Sequence, residues 1–181
     1  MGDFYMTTPV GPFPTAVGAS FGTFTTRQDV SPQPLPVVQG YQLRLGSKIK
    51  IEAEGEFSTT GTPTLVLGFY IGTAAGAITT VIAESAAITT ASAAAALPWR
   101  LEYRGIVTTL GVSGACVGMG DLELGTTLTA FSDNAIPATQ ALRTIVWDTT
   151  IARAIGVCAT WGASSASNTV KTINHSVALL N

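Results

Sequence analysis

A chain of 181 residues has room for one domain with a real core plus an extension. Hydrophobic residues make up 46% and charged ones only 11%, against about 25% charged in an ordinary soluble domain, so the surface is unusually neutral and rich in Thr, Ser, Ala and Gly. A formal net charge of -2 supplies no basic field for a phosphate backbone, which excludes nucleic-acid binding by electrostatics.

The opening residues Met1-Gly2-Asp3-Phe4 carry an acid where a secretory signal needs a basic region, and Met6 stands where a myristoylation motif needs Ser or Thr. The uncharged stretch 57–83 imitates a membrane span, but Pro63, four glycines and scattered threonines break it into runs of strand length. These features predict a protein that acts where it is made and does not enter a membrane.

Residues 1–40 differ from the rest. They hold six of the nine prolines and show no sustained periodicity. Proline fixes φ and removes a donor, so this segment reads as an extended arm, able to span up to about 120 Å at roughly 3.1 Å per residue. Phe4, Tyr5, Phe13, Phe21 and Phe24 stud it, and five aromatics are costly to leave in water. They are the expected anchoring residues, on a neighbouring molecule or, alternatively, on the arm's own domain.

From Tyr41 to Asn181 the pattern is β. At 48–57 period 2 is unambiguous: Ile49, Ile51, Ala53, Gly55 and Phe57 share one face, while Lys48, Lys50, Glu52, Glu54 and Glu56 share the other. Further strands are predicted at 41–45, 64–71, 78–83, 99–110, 115–124, 142–147, 154–161 and 169–179, separated by turn-rich segments such as 59–63, 72–76, 132–134 and 162–168. Ala91 to Ala96 has room for a helical turn at most, since Pro98 closes it. The expected fold is all-β: a jelly-roll-like β-sandwich of about eight or nine antiparallel strands over 41–181, preceded by the extended arm.

Chemistry is scarce. His175 is the one histidine, and its alternation with Asn174 and Ser176 beside Ile173 and Val177 places it on a packed face without a partner. Cys116 and Cys158 have neither CxxC spacing nor a histidine nearby, and read as small buried hydrophobes. The i, i+2 carboxylates Glu52 with Glu54 and Asp121 with Glu123 resemble a hydrolase pair but also an ordinary solvated strand face. Gly118-Met119-Gly120 lies within a strand-like run with no helix to follow, so it cradles no phosphate. Trp99, Trp147 and Trp161 fall at strand ends, where they cap a core more readily than they form a sugar platform. No catalytic group, cofactor or metal is expected.

The segments 56–65 (EFSTTGTPTL), 98–102 (PWRLE), 159–169 (ATWGASSASNT) and 177–181 (VALLN) resemble small virion proteins of actinobacterial tailed phages and prophages. The resemblance covers most of 41–181 and leaves the arm outside. It implies a β-sandwich structural subunit, most specifically a capsid decoration protein that trimerises on the outer surface of the head and clamps the major capsid protein, without enzymatic activity. The alternative it implies is a tail or head-fibre component that recognises a host-surface glycan through loop tips at 126–136 or 162–168.

Overall fold

A computed structural model describes residues 7–73 and 76–180. In chain order the strands are β1 Thr7–Pro9, β2 Phe21–Gly22, β3 Gln28–Asp29, β4 Val37–Val38, β5 Lys48–Ser58, β6 Thr64–Gly72, β7 Ile78–Glu84, β8 Ile88–Thr89, β9 Leu97–Thr109, β10 Ala115–Gly125, β11 Phe131–Ile136, β12 Thr144–Val146, β13 Arg153–Trp161 and β14 Thr169–Leu180. A single 3-10 turn, Gln140–Arg143, is the helical structure among the described residues.

The fold is a jelly-roll-like sandwich of two antiparallel sheets. The larger has the order β1-β14-β5-β9-β10-β11, with β2 also on β14 and β12 also on β10; the smaller has the order β3-β13-β6-β7, with β4 on β13 and β8 on β6. Alternation explains the packing. Ile49, Ile51 and Phe57 from β5, Trp99, Leu101 and Tyr103 from β9, and Leu122 and Leu124 from β10 face Leu65, Leu67, Phe69 and Ile71 from β6 and Ile155, Val157 and Trp161 from β13, all buried. Each such side chain contributes roughly 1.5–3 kcal/mol by leaving water. The three tryptophans are at most 2% exposed, as core caps rather than a platform.

The proline-rich segment is laid along the sandwich. Residues 7–22 run down β14: Thr7 lies opposite Leu180, the Val10 amide donates to the Val177 carbonyl at 2.9 Å, Gly18 donates to Thr172 at 2.9 Å, and Phe21 lies opposite Val170. The chain then turns and residues 28–38 run back along β13, with Asp29 opposite Cys158 and Val37 opposite Ala154. Val10, Val30 and Val38 are buried in the same core as the long strands, and Leu35 is buried as well. Of the two dispositions open to the arm, residues 7–38 adopt the one in which it folds back on its own domain, with a physical reason: β13 and β14 otherwise present two unpaired edges, and a strand carrying prolines satisfies them while offering little ladder to anything beyond.

Four local expectations fail. Residues 41–45 form a turn, not a strand, with Tyr41 at φ 61°. The Ser-Asp-Asn at 132–134 is no separator but the middle of β11, because pairing with β10 outweighs its turn propensity. Only 144–146 of the predicted 142–147 is strand. At 91–96 two left-handed alanines, Ala93 and Ala96, make a turn where a helical one is expected. A register shift between Thr172 and Asn174 changes the face of Ile173, so it is exposed with Asn174 while His175 returns to the core.

Candidate functional site

The expected anchors do not form one site. Phe4 and Tyr5 lie outside the described residues. Phe21 and Phe24 pack against the core, and Phe13 is 55% exposed. Two other surfaces stand out.

The first is the outer face of the larger sheet. Strict alternation carries most of the chain's charge to this side: Lys48, Lys50, Glu52, Glu54 and Glu56 on β5, Arg100, Glu102 and Arg104 on β9, Asp121 and Glu123 on β10, Asp133 on β11 and Lys171 on β14. Register sets Glu52 opposite Glu102 and Glu102 opposite Asp121, three carboxylates side by side. Such a row is unfavourable unless cations intervene. Lys50 does so, 2.8 Å from Glu52 and 4.0 Å from Glu102, as does Arg104 against Glu102; Arg100 pairs with Glu123 at 3.5 Å and Lys171 with Glu56 at 3.4 Å. All are exposed enough that each is worth about 0–1 kcal/mol.

Three of the hollows on this face share Arg100 as a wall. One of about 490 Å³ is lined by Arg100, Glu102, Arg104, Met119, Asp121, Glu123 and, from the 3-10 turn, Arg143. A second of about 340 Å³ lies between Glu54, Pro98, Arg100, Glu123, Phe131 and Ile173, and a third of about 160 Å³ between Glu52, Glu54, Arg100, Glu102, Asn174 and Ser176. The i, i+2 pairs noted in the sequence therefore belong to one surface.

The second surface is one end of the sandwich. The Tyr41 amide donates to Thr149 O at 2.8 Å, Thr149 N to Gly111 O at 3.1 Å, Gly46 N to Val107 O at 2.9 Å and Trp147 N to Gly114 O at 2.8 Å, so the loops 39–47, 110–114 and 147–152 brace one another. On them stand Tyr41 at 79%, Leu45 at 69% and Val112 at 71% exposure, with Leu110 and Ile151 at 46% and 47%, and Val146 at the end of β12 beside them at 66%. At the opposite end the loops 59–63, 91–96, 126–130 and 162–168 are mostly small and polar, and Leu128 is their one large exposed hydrophobe. Asp148, half-buried beside the apolar end, is held below the usual carboxylate range by hydrogen bonds from the Thr150 hydroxyl and amide.

The histidine and the two cysteines lie in the interior. His175 is 2% exposed; its ring stacks against Phe69 at 6.2 Å between centroids, neither nitrogen has a hydrogen-bond partner, and burial lowers its pKa to about 4. Both cysteines are free and buried, one on each sheet, with desolvation pushing Cys116 up to about 11 and Cys158 up to about 12. Among the described residues no His, Cys, Asp and Glu cluster is arranged to hold a metal.

No protein-family model matches the chain and no curated protein matches it. Among solved structures it is similar to winged bean acidic lectin complexed with methyl-alpha-D-galactose, at 7% identity and a TM-score of 0.38 over 97% of this chain and 98% of that one. It is also similar to a family 18 polysaccharide lyase, aly-SJ02, at 12% identity and 0.32 over 97% and 95%, and to a legume lectin-like domain from Entamoeba histolytica, at 10% identity and 0.30 over 91% and 90%.

Proposed function

We propose that this protein is a non-catalytic structural subunit that docks on other protein surfaces, and within that class a capsid decoration protein of a tailed phage, bound as a homotrimer to the major capsid protein on the outer surface of the virion. One observation carries the reading: five large apolar side chains are displayed on mutually braced loops at a single end of the sandwich, with Val146 of β12 beside them. A rigid apolar patch at the end of a body whose opposite end is small and polar is what a docking surface requires, because little ordering entropy remains to be lost on binding. Anchoring accordingly moves from the arm, whose residues 7–38 are committed to their own sheets, to the apolar end.

The test is the copy number of the protein relative to the major capsid protein in gradient-purified virions, by quantitative mass spectrometry. A simple lattice fraction is expected. A handful of copies per particle points instead to a tail or fibre component, and absence from the particle overturns the reading. Attachment to shells should also fail for Leu45→Glu with Val112→Glu, both fully tolerable to the fold since their side chains point to solvent.

A further inference from the structure

We infer that the charged outer face of the larger sheet is a binding groove for a neutral oligosaccharide, lying across β14, β5, β9, β10 and β11. It differs from the apolar end in position and chemistry, and holds whether or not the chain decorates a capsid.

The face leaves two charged side chains unsatisfied. In the largest hollow Arg104 is neutralised by Glu102 and Arg100 by Glu123. Asp121 and Arg143 line the same hollow, and neither has an ion pair or hydrogen bond among the described residues. The Arg143 Nε is moreover shielded from solvent with no acceptor, a cost that a bound acceptor would remove. The site thus offers one free acceptor and one free donor fork beside each other, with no net charge left over. A small anion would meet Asp121 and a cation would meet Arg143. A polyol satisfies both, since its hydroxyls donate to the carboxylate and accept from the guanidinium.

Shape agrees. The adjoining hollow brings Phe131, 50% exposed, beside Ile173 and Pro98, an aromatic and aliphatic wall against which the apolar face of a sugar ring can lie. The three hollows all share Arg100 as a wall and together reach across five strands, about 19 Å at roughly 4.8 Å per strand, a length suited to a short oligosaccharide rather than a single sugar. The bulge that turns Ile173 outward supplies part of that wall, and the 3-10 turn at 140–143 hangs Arg143 over the groove.

The experiment is a printed array of neutral and acidic oligosaccharides probed with the full-length protein, followed by isothermal titration with the best neutral binder. Binding to a neutral class is expected, weakened roughly tenfold or more by Asp121→Asn and by Arg143→Gln, as for loss of a hydrogen bond to a charged group, and weakened by Phe131→Ala. Val112→Glu at the apolar end should leave it unchanged. No binding anywhere on the array, binding confined to acidic glycans, or binding that ignores Asp121 and Arg143 while circular dichroism shows native folds would each overturn the assignment.

Discussion

Gly156 stands directly opposite Tyr70 across the β13–β6 pair, and a Cβ built on it would lie 2.5 Å from the phenol ring. The ring is fully buried and has nowhere to move. The larger sheet repeats the device, with Gly55 opposite Trp99 and a Cβ there 2.6 Å from the indole. Large aromatics are thus accommodated by removing the side chain across the ladder. Gly156→Ala is therefore expected to lower stability by about 1–3 kcal/mol through overpacking, read as a drop in urea midpoint. An unchanged midpoint would mean that the ring has freedom the structure does not show.

The segment along β13 should be as important to stability as any long strand. Ser31 Oγ accepts from the Val157 amide at 2.6 Å and itself donates to Asp29 Oδ1 at 2.6 Å, so a side chain fills a place in the ladder. Ser31→Ala leaves a buried amide unpaired and is expected to cost about 1–3 kcal/mol. Leu35→Ala, 2% exposed before truncation, is expected to cost about 2–5 kcal/mol. Removing residues 1–38 altogether should abolish cooperative unfolding in a calorimeter. A truncated body that melts like the full chain would show the lacing to be ornamental.

Stability should fall with acid through His175. Its folded pKa of about 4 lies below the usual 6.5 because burial disfavours the imidazolium. The unfolded chain therefore takes up a proton first as pH drops, so the stability this residue permits is complete above pH 6.5 and is lost progressively down to about pH 4. At about 1.4 kcal/mol per unit the loss approaches roughly 3 kcal/mol. His175→Leu, which also removes two unpartnered nitrogens, should flatten the slope of urea midpoint against pH between 4 and 6.5. A slope that survives the substitution would place the titration elsewhere.

The thiols should be silent in the native state. Cys116 lies 3.9 Å from the Tyr103 hydroxyl and Cys158 lies beneath the Arg27–Glu84 ion pair, both shut off from solvent and both with raised pKa values. A thiol reagent at pH 8 is expected to label neither within minutes and both after denaturation. Fast native labelling of either one would contradict the burial described.

The long strands were legible because alternation at 48–57 fixes both class and face, while apolar runs bounded by turn residues mark 99–110 and 169–179 as strands. Other features rest on contacts distant in sequence. Nothing local distinguishes a proline-rich arm that reaches outward from one that laces β13 and β14, since the deciding partners lie more than a hundred residues away. The bulge at Ile173 is equally silent, because one inserted residue shifts the face without altering composition. At β11 the turn-forming Ser132, Asp133 and Asn134 mislead, their propensity outweighed by the β10 ladder. The carboxylates of the charged face were visible as i, i+2 pairs, but their assembly with Arg143 and Phe131 needed the sheet order.

The lacing of residues 7–38 also sets the order in which the molecule can be completed. Its partners, β13 and β14, are the last strands in the chain, so a ribosome releases the lace long before anything exists for it to grip. Loops of this length must be closed before their contacts stabilise anything, which slows the approach to the native state. During synthesis the early valines and prolines have no edge to pair with until β13 and β14 emerge. Proline protects the waiting segment from pairing wrongly with other nascent chains, while the final closure removes both edges at once.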